Sequence, residues 1–339
     1  MKLCEQITQD GLWTRLEHIA IHTVTAGSIA AMGYYRDAWG RQKALSDQGK
    51  NPSTVADLEA TSTIIQTCDS MISPVADSLF CGLSYFGEET VCRDHLKAHL
   101  SGDLMRRLHG TERFFAGTSN TIRIIFDGID GTSNFSRGLP LFCTALAILI
   151  DEQVRVSAVY DPIHHEVCSA ILSGSHECPE EQVSASRWQV ASGNRLDLVR
   201  ASKSDAPKLL DRSAVGVHLT RSNRVKLKDF VGAGNSPSGD SMLERLATAT
   251  GGVYCLNSGI VAMREVAKGT LGGFVNITTY PWDIAAGEVL VRACGGKVTT
   301  FEGSPIRYLS PLPTSVVAAQ GHLHSQILDV LSGANAPIE

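Results

Sequence analysis

The stretch at residues 125–135 constrains the fold more than any other part of the chain. It reads IFDGIDGTSNF and places Asp127 and Asp130, each followed by a glycine, directly after the apolar run TIRIIF at 121–126. The β-branched residues of that run predict a buried strand, and Asp-Gly pairs are typical of turns. Carboxylates at the end of a buried strand are typical of α/β proteins, which gather their ligand sites where strands end.

Helical and strand patterns alternate along the rest of the chain. Apolar spacing predicts a helix within 10–47, and a second helix begins where Thr54 and Asp57 are placed like an N-cap and its partner three residues on. Residues 91–109 predict an exposed helix, and an antiparallel meander is expected from residue 140. Further helices are predicted at 241–250, 259–269, 284–296 and 324–333, with strands at 272–276 and 316–320.

The helices and strands suggest an α/β (α+β) protein with two sub-domains, residues 1–185 and 186–339. The first carries the sequences GEE and DGIDGT, and the second carries WDIAAG. Their boundary falls in a polar stretch rich in serine, glycine and asparagine, at 173–240.

The composition excludes several classes of protein. The longest apolar stretch, 140–150, is about half of the roughly 20 residues that a membrane-spanning helix needs, and the first 20 residues lack a signal-peptide pattern. The nine cysteines include no C-x-x-C pair, which favours reduced thiols and a cytoplasmic protein. A net charge of −5 without a basic block argues against a nucleic-acid partner and favours a small molecule.

Four carboxylates stand where apolar runs meet a loop or helix: Glu88, Asp127, Asp130 and Asp283. Taken singly, each is most simply a turn, a helix cap or a solvated side chain. If they converge, unit charges ~4 Å apart repel by about 4 kcal/mol per pair, so the carboxylates must be protonated or neutralised by cations, for which hard divalent ions are suited. Oxygen ligands without histidine or thiolate favour Mg²⁺ or Mn²⁺, and the carbonyl of Ile129 would add a further ligand.

The segment Gly131, Thr132 and Ser133 adds a place for phosphate. A helix that starts here would point its free N–H groups at the same space as the aspartates, and glycine permits close approach of the ligand. The hydroxyl of Thr132 would orient or deprotonate an attacking water. Carboxylates beside backbone amides therefore predict a site for a phosphate ester.

Three motifs in this order, FGEE at 86–89, DGIDGTSNF at 127–135 and WDIAAG at 282–287, resemble the inositol monophosphatase family. This family belongs to a lithium-sensitive phosphatase superfamily that also contains fructose-1,6-bisphosphatases and 3'(2'),5'-bisphosphate nucleotidases. The resemblance implies a layered αβαβα sandwich and hydrolysis of a phosphate monoester with two or three Mg²⁺ per site. It also implies Mn²⁺ as a possible substitute, inhibition by Li⁺ and a homodimer, while the composition predicts neither a membrane nor a nucleic-acid partner.

The resemblance also assigns roles by position. It implies that Thr132 and Glu88 activate the attacking water while Asp130 bridges towards the substrate. The implied metal ligands are Glu88, Asp127, the Ile129 carbonyl, Asp130 and Asp283. The implied phosphate-binding residues are Gly131, Thr132 and Ser133, those on the substrate side are Ser258, Gly259 and Asn276, and those behind the ligands are Asp57 and Glu89.

Two positions depart from the family pattern. Gly128 stands where the family has proline, which predicts a looser turn because glycine widens the backbone's options. Asn276 stands where inositol phosphatases often have an acid that binds ring hydroxyls, which weakens the case for inositol phosphate and favours a polyol or sugar phosphate.

Alternatives remain open from the sequence. A bisphosphate nucleotidase or fructose-1,6-bisphosphatase would need a second phosphate site, for which Arg221 and Arg224 are candidates, but an aromatic content of 6% offers no obvious cluster for adenine. A regulatory binding protein of the same fold is a third alternative. A histidine phosphatase using His164 and His165 would lack a partner motif.

Overall fold

The computed structural model describes residues 11–35, 55–80, 82–108, 121–150, 152–173, 183–190, 192–198, 209–219, 241–308 and 313–333. Thr54, Arg221 and Arg224 lie outside these ranges, so the predictions made for them stay predictions. None of the helices in the described ranges combines the length and the apolarity needed to cross a bilayer.

Helices and strands alternate as the sequence patterns indicate. The helices are α1 (Leu12–Tyr35), α2 (Val55–Leu79), α3 (Gly102–Arg107), α4 (Thr132–Ser136), α5 (Met242–Ala249), α6 (Gly259–Lys268), α7 (Ala285–Ala293) and α8 (His324–Ser332). The strands are β1 (Gly82–Gly87), β2 (Thr121–Asp130), β3 (Cys143–Ile150), β4 (Gln153–Asp161), β5 (Glu166–Leu172), β6 (Val183–Gln189), β7 (Asn194–Asp197), β8 (Ala214–Val217), β9 (Gly252–Cys255), β10 (Gly273–Thr279), β11 (Gly296–Thr299) and β12 (Thr314–Gln320). Short 3₁₀ helices lie at Glu88–Ala98, Leu210–Arg212 and Pro281–Asp283.

The first sheet contains seven strands in the order β1 to β7. Strand β1 runs parallel to β2, and Gly87 lies opposite Phe126, so these two strands end side by side. Every later neighbour in this sheet is antiparallel, which confirms the meander predicted from residue 140.

The second sheet has the strand order β11-β12-β10-β8-β9. Strand β8 runs parallel to β10 on one side and to β9 on the other. The carboxyl ends of these three strands therefore lie along one edge, as in the ligand-binding edges of other α/β proteins.

Three hydrophobic clusters join five layers of helices and sheets. The first joins α1 and α2 to one face of the first sheet, through residues such as Leu16, Ile64 and Ile124. The second lies between the sheets and contains α6 and α7, with Ile125 on one side and Phe274 on the other. A third cluster joins the outer face of the second sheet to α5 and α8. This arrangement confirms the predicted αβαβα sandwich.

Two local predictions need correction. The single helix predicted over 91–109 is wrong, because the 3₁₀ helix ends at Ala98 and Ser101 starts α3 by accepting a hydrogen bond from the Leu104 N–H. The turn expected at Asp127 comes later, because β2 continues to Asp130 with an irregular register. The chain turns at Gly131, where φ is +96°.

Candidate metal centre

Three aspartates converge between the two sheets. Asp127 and Asp130 stand at the end of β2, and Asp283 ends the 3₁₀ helix that follows β10. Each offers a carboxylate oxygen within 4.8 Å of the oxygens of the other two. Unit charges at that separation repel by roughly 3–4 kcal/mol per pair at an effective dielectric constant near 20. The cluster therefore favours either protonation or a bound cation.

The pKa values of these aspartates reflect the crowding. Burial raises the pKa of Asp130 to about 6, although hydrogen bonds from Ser258 and from backbone amides oppose the rise. Burial and the Asp130 charge raise the pKa of Asp283 to about 7. Burial, followed by neighbouring carboxylates, holds the pKa of Asp127 well above its usual range. A cation that keeps all three ionised near neutral pH fits this oxygen-only donor set, and Mg²⁺ or Mn²⁺ matches its chemistry.

The start of α6 holds Asp130 in place. The Ser258 hydroxyl donates to Asp130 Oδ2 at 2.5 Å, and the Ile260 N–H donates to the same oxygen at 2.7 Å. Ser258 Oγ also accepts from the Val261 N–H, so this residue caps the helix. An ionised carboxylate has about four lone-pair sites, so Asp130 keeps acceptor capacity for a cation.

Local hydrogen bonds orient the other two aspartates. Asp127 Oδ1 accepts from the Ile129 N–H at 2.9 Å. Asp283 Oδ2 accepts from the Tyr280 N–H at 2.9 Å and from the Thr279 hydroxyl at 3.3 Å. Backbone donors thus fix both carboxylates before any ligand binds.

An aromatic stack supports the segment that carries Asp283. The rings of Tyr280 and Trp282 are nearly parallel, with centroids 4.8 Å apart, and Phe86 meets Trp282 edge-on at 5.2 Å. Phe86 lies in β1, two residues before Glu88, so the stack links the segments of two predicted ligands. The sequence did not predict this cluster because Phe86 lies almost 200 residues before Tyr280 and Trp282 along the chain.

Thr132 and Asp57 lie against each other behind the cluster. The Thr132 hydroxyl is 3.2 Å from Asp57 Oδ1 and 3.0 Å from the Ile129 carbonyl oxygen. Asp57 is buried and comes from the first turn of α2. The hydroxyl hydrogen is thereby directed to one of two acceptors, and the oxygen lone pairs are left to accept a proton or a hydrogen bond.

Glu88 and Glu89 approach the cluster from the end of β1. Glu88 is half-buried and stands outside the group of three aspartates, but the charges of both glutamates help to raise the pKa of Asp127. Glu89 is buried and accepts a hydrogen bond from the Thr61 hydroxyl of α2 at 3.1 Å. Their predicted roles as ligand and supporting residue stay predictions, with this proximity in their favour.

Gly131 leads into the predicted phosphate-binding segment. A Cβ at this position would lie 2.8 Å from the Leu141 carbonyl oxygen, so only glycine fits. The predicted helix start is present, but α4 is a single turn that covers Thr132 and Ser133. Phosphate binding here would therefore depend on individual amides, since a five-residue helix has little dipole.

Gly128 is closely packed, and the loose turn predicted for it is absent. A Cβ there would lie 3.1 Å from Ala60 Cβ and 3.2 Å from Thr61 Oγ1, both on α2. The Gly128 carbonyl accepts a hydrogen bond from the Thr144 hydroxyl at 2.8 Å. The glycine therefore lets α2, which carries Asp57, lie directly against β2.

Comparison with known proteins agrees with this geometry. A sequence model of the inositol monophosphatase family matches residues 14–335. The chain belongs to the inositol monophosphatase family. Among its relatives, the Nus factor SuhB of Salmonella typhimurium is 30% identical over 187 residues, which cover 55% of this chain and 60% of that protein. The inositol-1-monophosphatase of Synechocystis sp. is 24% identical over 316 residues, or 92% of this chain and 88% of that protein.

Solved structures show the same fold. The inositol monophosphatase of Anabaena superposes with a TM-score of 0.64 at 20% identity, covering 95% of this chain and 97% of that chain. The extragenic suppressor protein suhB of Bartonella henselae superposes with a TM-score of 0.66 at 18% identity, covering 96% of this chain and 100% of that chain. Identities this low establish the inositol monophosphatase fold alone.

The three residues predicted on the substrate side are all buried, and two of them make hydrogen bonds within the protein. Ser258 and Gly259 are buried, and Ser258 contacts Asp130, which gives it a supporting role in addition to the predicted one. Asn276 is buried, and its Oδ1 accepts from the Thr278 N–H at 3.2 Å. Their contact with substrate stays a prediction.

The histidine pair has a structural partner. His164 Nδ1 lies 2.8 Å from Asp161 Oδ2, and the same oxygen accepts from the buried guanidinium of Arg264 at 2.8 Å. Desolvation opposes ionisation of Asp161, but Arg264 and hydrogen bonds from His164 outweigh it and lower the pKa of this carboxyl. An ion pair that joins β4 to α6 accounts for His164 without a catalytic role.

Proposed function

We propose that this inositol monophosphatase family member is a Mg²⁺-dependent phosphomonoesterase that hydrolyses the phosphate ester of a small polyol, inositol or sugar. The observation that carries the proposal is the convergence of Asp127, Asp130 and Asp283 within 4.8 Å. Two of these carboxylates are buried, and their mutual repulsion would destabilise the folded protein if it were not neutralised. A bound divalent cation would neutralise this repulsion.

Asp127, Asp130 and Asp283 would hold the ion, with Glu88 and the Ile129 carbonyl nearby as further oxygen ligands. When bound, Mg²⁺ supplies Lewis-acid chemistry that offsets phosphate charge and makes a water molecule more acidic. The hydrogen bonds from Ser258, Ile129 and Tyr280 keep the ligand oxygens in position. Such preorganisation limits the reorganisation needed when the substrate arrives.

The chain's own residues would handle the attacking water and the phosphate. Thr132 can accept a hydrogen bond from the water while its own hydrogen goes to Asp57, 3.2 Å away. Amides of the segment Gly131, Thr132 and Ser133 would bind phosphate oxygens, since the first N–H groups of a helix lack partners within the helix. Attack in line with the leaving alcohol then requires correct positioning and little covalent chemistry from the protein.

A non-catalytic binding role is the second candidate. Several relatives carry the name Nus factor SuhB, and the matched segment covers 60% of their length. The ligand types of the proposed metal site are all present in this chain, which favours catalysis. Li⁺ inhibition and a homodimer are further proposals that rest on the family resemblance, and a cytoplasmic location is a proposal that rests on the composition.

The proposal is tested by phosphate release from a panel of esters. The panel contains inositol 1-phosphate, fructose 1,6-bisphosphate, 3'-phosphoadenosine 5'-phosphate, histidinol phosphate, several sugar phosphates and p-nitrophenyl phosphate, each with Mg²⁺, with EDTA and with added Li⁺. We expect release that requires Mg²⁺ and favours a polyol or sugar phosphate. No release from any ester, together with a macromolecular partner recovered independently of Mg²⁺, would reverse the ranking of the two candidates.

A further inference from the structure

Tyr280 lies beside the proposed metal site. It directly follows β10 and precedes Asp283 by three residues. Its N–H donates to Asp283 Oδ2 at 2.9 Å. Since an N–Cα bond measures about 1.46 Å, the Tyr280 Cα lies within about 4.4 Å of that carboxylate oxygen. The tyrosine side chain therefore begins next to a proposed metal ligand.

The stack with Trp282 fixes the orientation of the Tyr280 ring. The two rings are 8° from parallel, with centroids 4.8 Å apart. Trp282 is only 7% exposed and belongs, with Phe86, to the hydrophobic cluster between the two sheets. Tyr280 therefore covers the outer end of that cluster, at the edge of the sheets where the three aspartates converge.

The ring of Tyr280 is accessible to a ligand. The residue is 42% exposed, although Trp282 covers one face of its ring. The exposed area therefore includes the opposite face, and a leaving group bound at the metal site can reach it without any opening of the fold. The contact with Trp282 also holds the ring in place before a ligand arrives, which limits the entropy lost on binding.

A tyrosine ring in this position selects for the shape of the leaving group. Its face is apolar and carries partial negative charge, so it packs against flat surfaces whose C–H groups point towards it. Cyclic alcohols such as inositol or a pyranose sugar, and aryl alcohols, present such a surface. An open-chain polyol has no flat face, and the negative charge of a second phosphate would be repelled by the ring face.

We propose that Tyr280 is a stacking platform that favours phosphate esters of cyclic leaving alcohols over those of open-chain alcohols. The inference rests on the proposed phosphatase function and narrows its substrate class, which includes open-chain polyols, to esters whose alcohol contains a ring. The ring of the alcohol would lie on the exposed face of Tyr280 while its phosphate occupies the metal site.

The test compares kcat/KM for a ring ester with that for an open-chain ester. The ring ester is the faster of inositol 1-phosphate and p-nitrophenyl phosphate, and the open-chain ester is the faster of glycerol 1-phosphate and sorbitol 6-phosphate. Tyr280→Leu keeps the backbone N–H and an apolar cover over Trp282 but lacks a flat face. We expect it to lower the ratio of ring to open-chain kcat/KM about 3- to 10-fold, the usual effect of losing an aromatic stack.

Two further variants separate stacking from other roles of the side chain. Tyr280→Phe keeps the ring without the hydroxyl and should preserve the ratio of the wild type. Tyr254→Leu is the matched control, because Tyr254 is 54% exposed and its ring lies beside Gly252, at the amino end of β9 and away from the proposed site. This variant should preserve the ratio as well.

An unchanged ratio in Tyr280→Leu, including equal losses on both esters, would overturn the inference, because a purely structural role acts on both substrates alike. An equal fall of the ratio in Tyr280→Phe would also overturn it, since the preference would then depend on the hydroxyl. Wild-type turnover of open-chain esters alone would overturn it while leaving the phosphatase proposal intact. No Mg²⁺-dependent turnover of any ester by the wild type would overturn both.

Discussion

The Ser258 hydroxyl lies 2.5 Å from Asp130 Oδ2, so the residue that caps α6 also holds a carboxylate from the end of β2. This contact joins the second sheet's edge to the first sheet across the proposed metal site. It opposes the burial that raises the pKa of Asp130 to about 6.

Ser258→Ala should weaken Mg²⁺ binding and lower turnover about 10- to 100-fold, because a hydrogen bond to a charged acceptor contributes about 1.5–3 kcal/mol. Without this donor the pKa of Asp130 rises, and protons compete more strongly with the ion. Mg²⁺ titration by calorimetry and phosphate release measure the two effects.

Ser241→Ala is the matched control for that variant. Ser241 caps α5 in the same way, because its side chain accepts a hydrogen bond from the Glu244 N–H. Replacing it with alanine should therefore lower the free energy of unfolding by about 1 kcal/mol, the usual effect of losing a helix cap. It should reduce Tm without changing Mg²⁺ affinity. Equal Mg²⁺ affinities in the two variants would refute the role assigned to Ser258.

Gly128→Ala should reduce both stability and activity, because its Cβ would press on Ala60 and Thr61 of α2. We expect a loss of about 1–3 kcal/mol in the free energy of unfolding, the usual cost of overpacking. Turnover should fall as well, since α2 carries Asp57 against Thr132. Urea denaturation and phosphate release measure these losses.

Gly33→Ala provides the comparison, because a Cβ at Gly33 on α1 meets nothing within 4 Å. That variant should be as stable as the wild type or more stable by up to about 1 kcal/mol. If Gly128→Ala behaved in the same way, the close packing of α2 on β2 would not matter.

The metal-free protein should become less stable as pH rises from about 4 to 7. The pKa values of Asp130 and Asp283, about 6 and 7, exceed the usual aspartate value, so the folded state binds protons more tightly than the unfolded state. Stability is therefore highest when both are protonated and falls as they ionise.

Mg²⁺ should reverse this trend. Its stabilising effect on Tm should be larger at pH 8 than at pH 5.5, because the ion binds the ionised carboxylates. Thermal unfolding in EDTA, in Mg²⁺ and in Na⁺ of equal ionic strength measures it. An equal Mg²⁺ effect at both pH values would contradict a carboxylate site.

The sequence carries the ligands of the proposed site in local motifs, and for that reason they could be predicted. Asp127 and Asp130 come directly after the apolar run at 121–126, Asp283 lies in the motif WDIAAG, and the structure brings their oxygens together. The contact between Ser258 and Asp130 joins residues 128 positions apart, and no local pattern predicts it. Gly128 misled sequence reasoning for the same reason, because the helix that crowds it lies elsewhere in the chain.

The pattern of polar and apolar residues at 91–109 also could not predict the break between the 3₁₀ helix and α3. Its polar residues fit a single exposed helix, but the cap supplied by Ser101 starts a second one.

Asn276→Glu should shift preference towards inositol phosphates, because the family resemblance places an acid there to bind ring hydroxyls. We expect kcat/KM for inositol 1-phosphate to rise relative to that for p-nitrophenyl phosphate. Asn276→Gln, which changes length without adding charge, should not produce the shift. An unchanged ratio in the Glu variant would show that this position does not select the substrate.

The most direct test of the central claim is phosphate release by Asp130→Asn with saturating Mg²⁺. Removing one charge at nearly constant volume should lower turnover about a thousandfold or more, because the ion loses a ligand at the reacting centre. Tm in EDTA should be equal or higher, since one repulsive charge has gone. Asp329→Asn, at an exposed position on α8, should behave like the wild type. An Asp130→Asn protein that keeps most of its Mg²⁺-dependent activity would contradict the assignment of the metal centre.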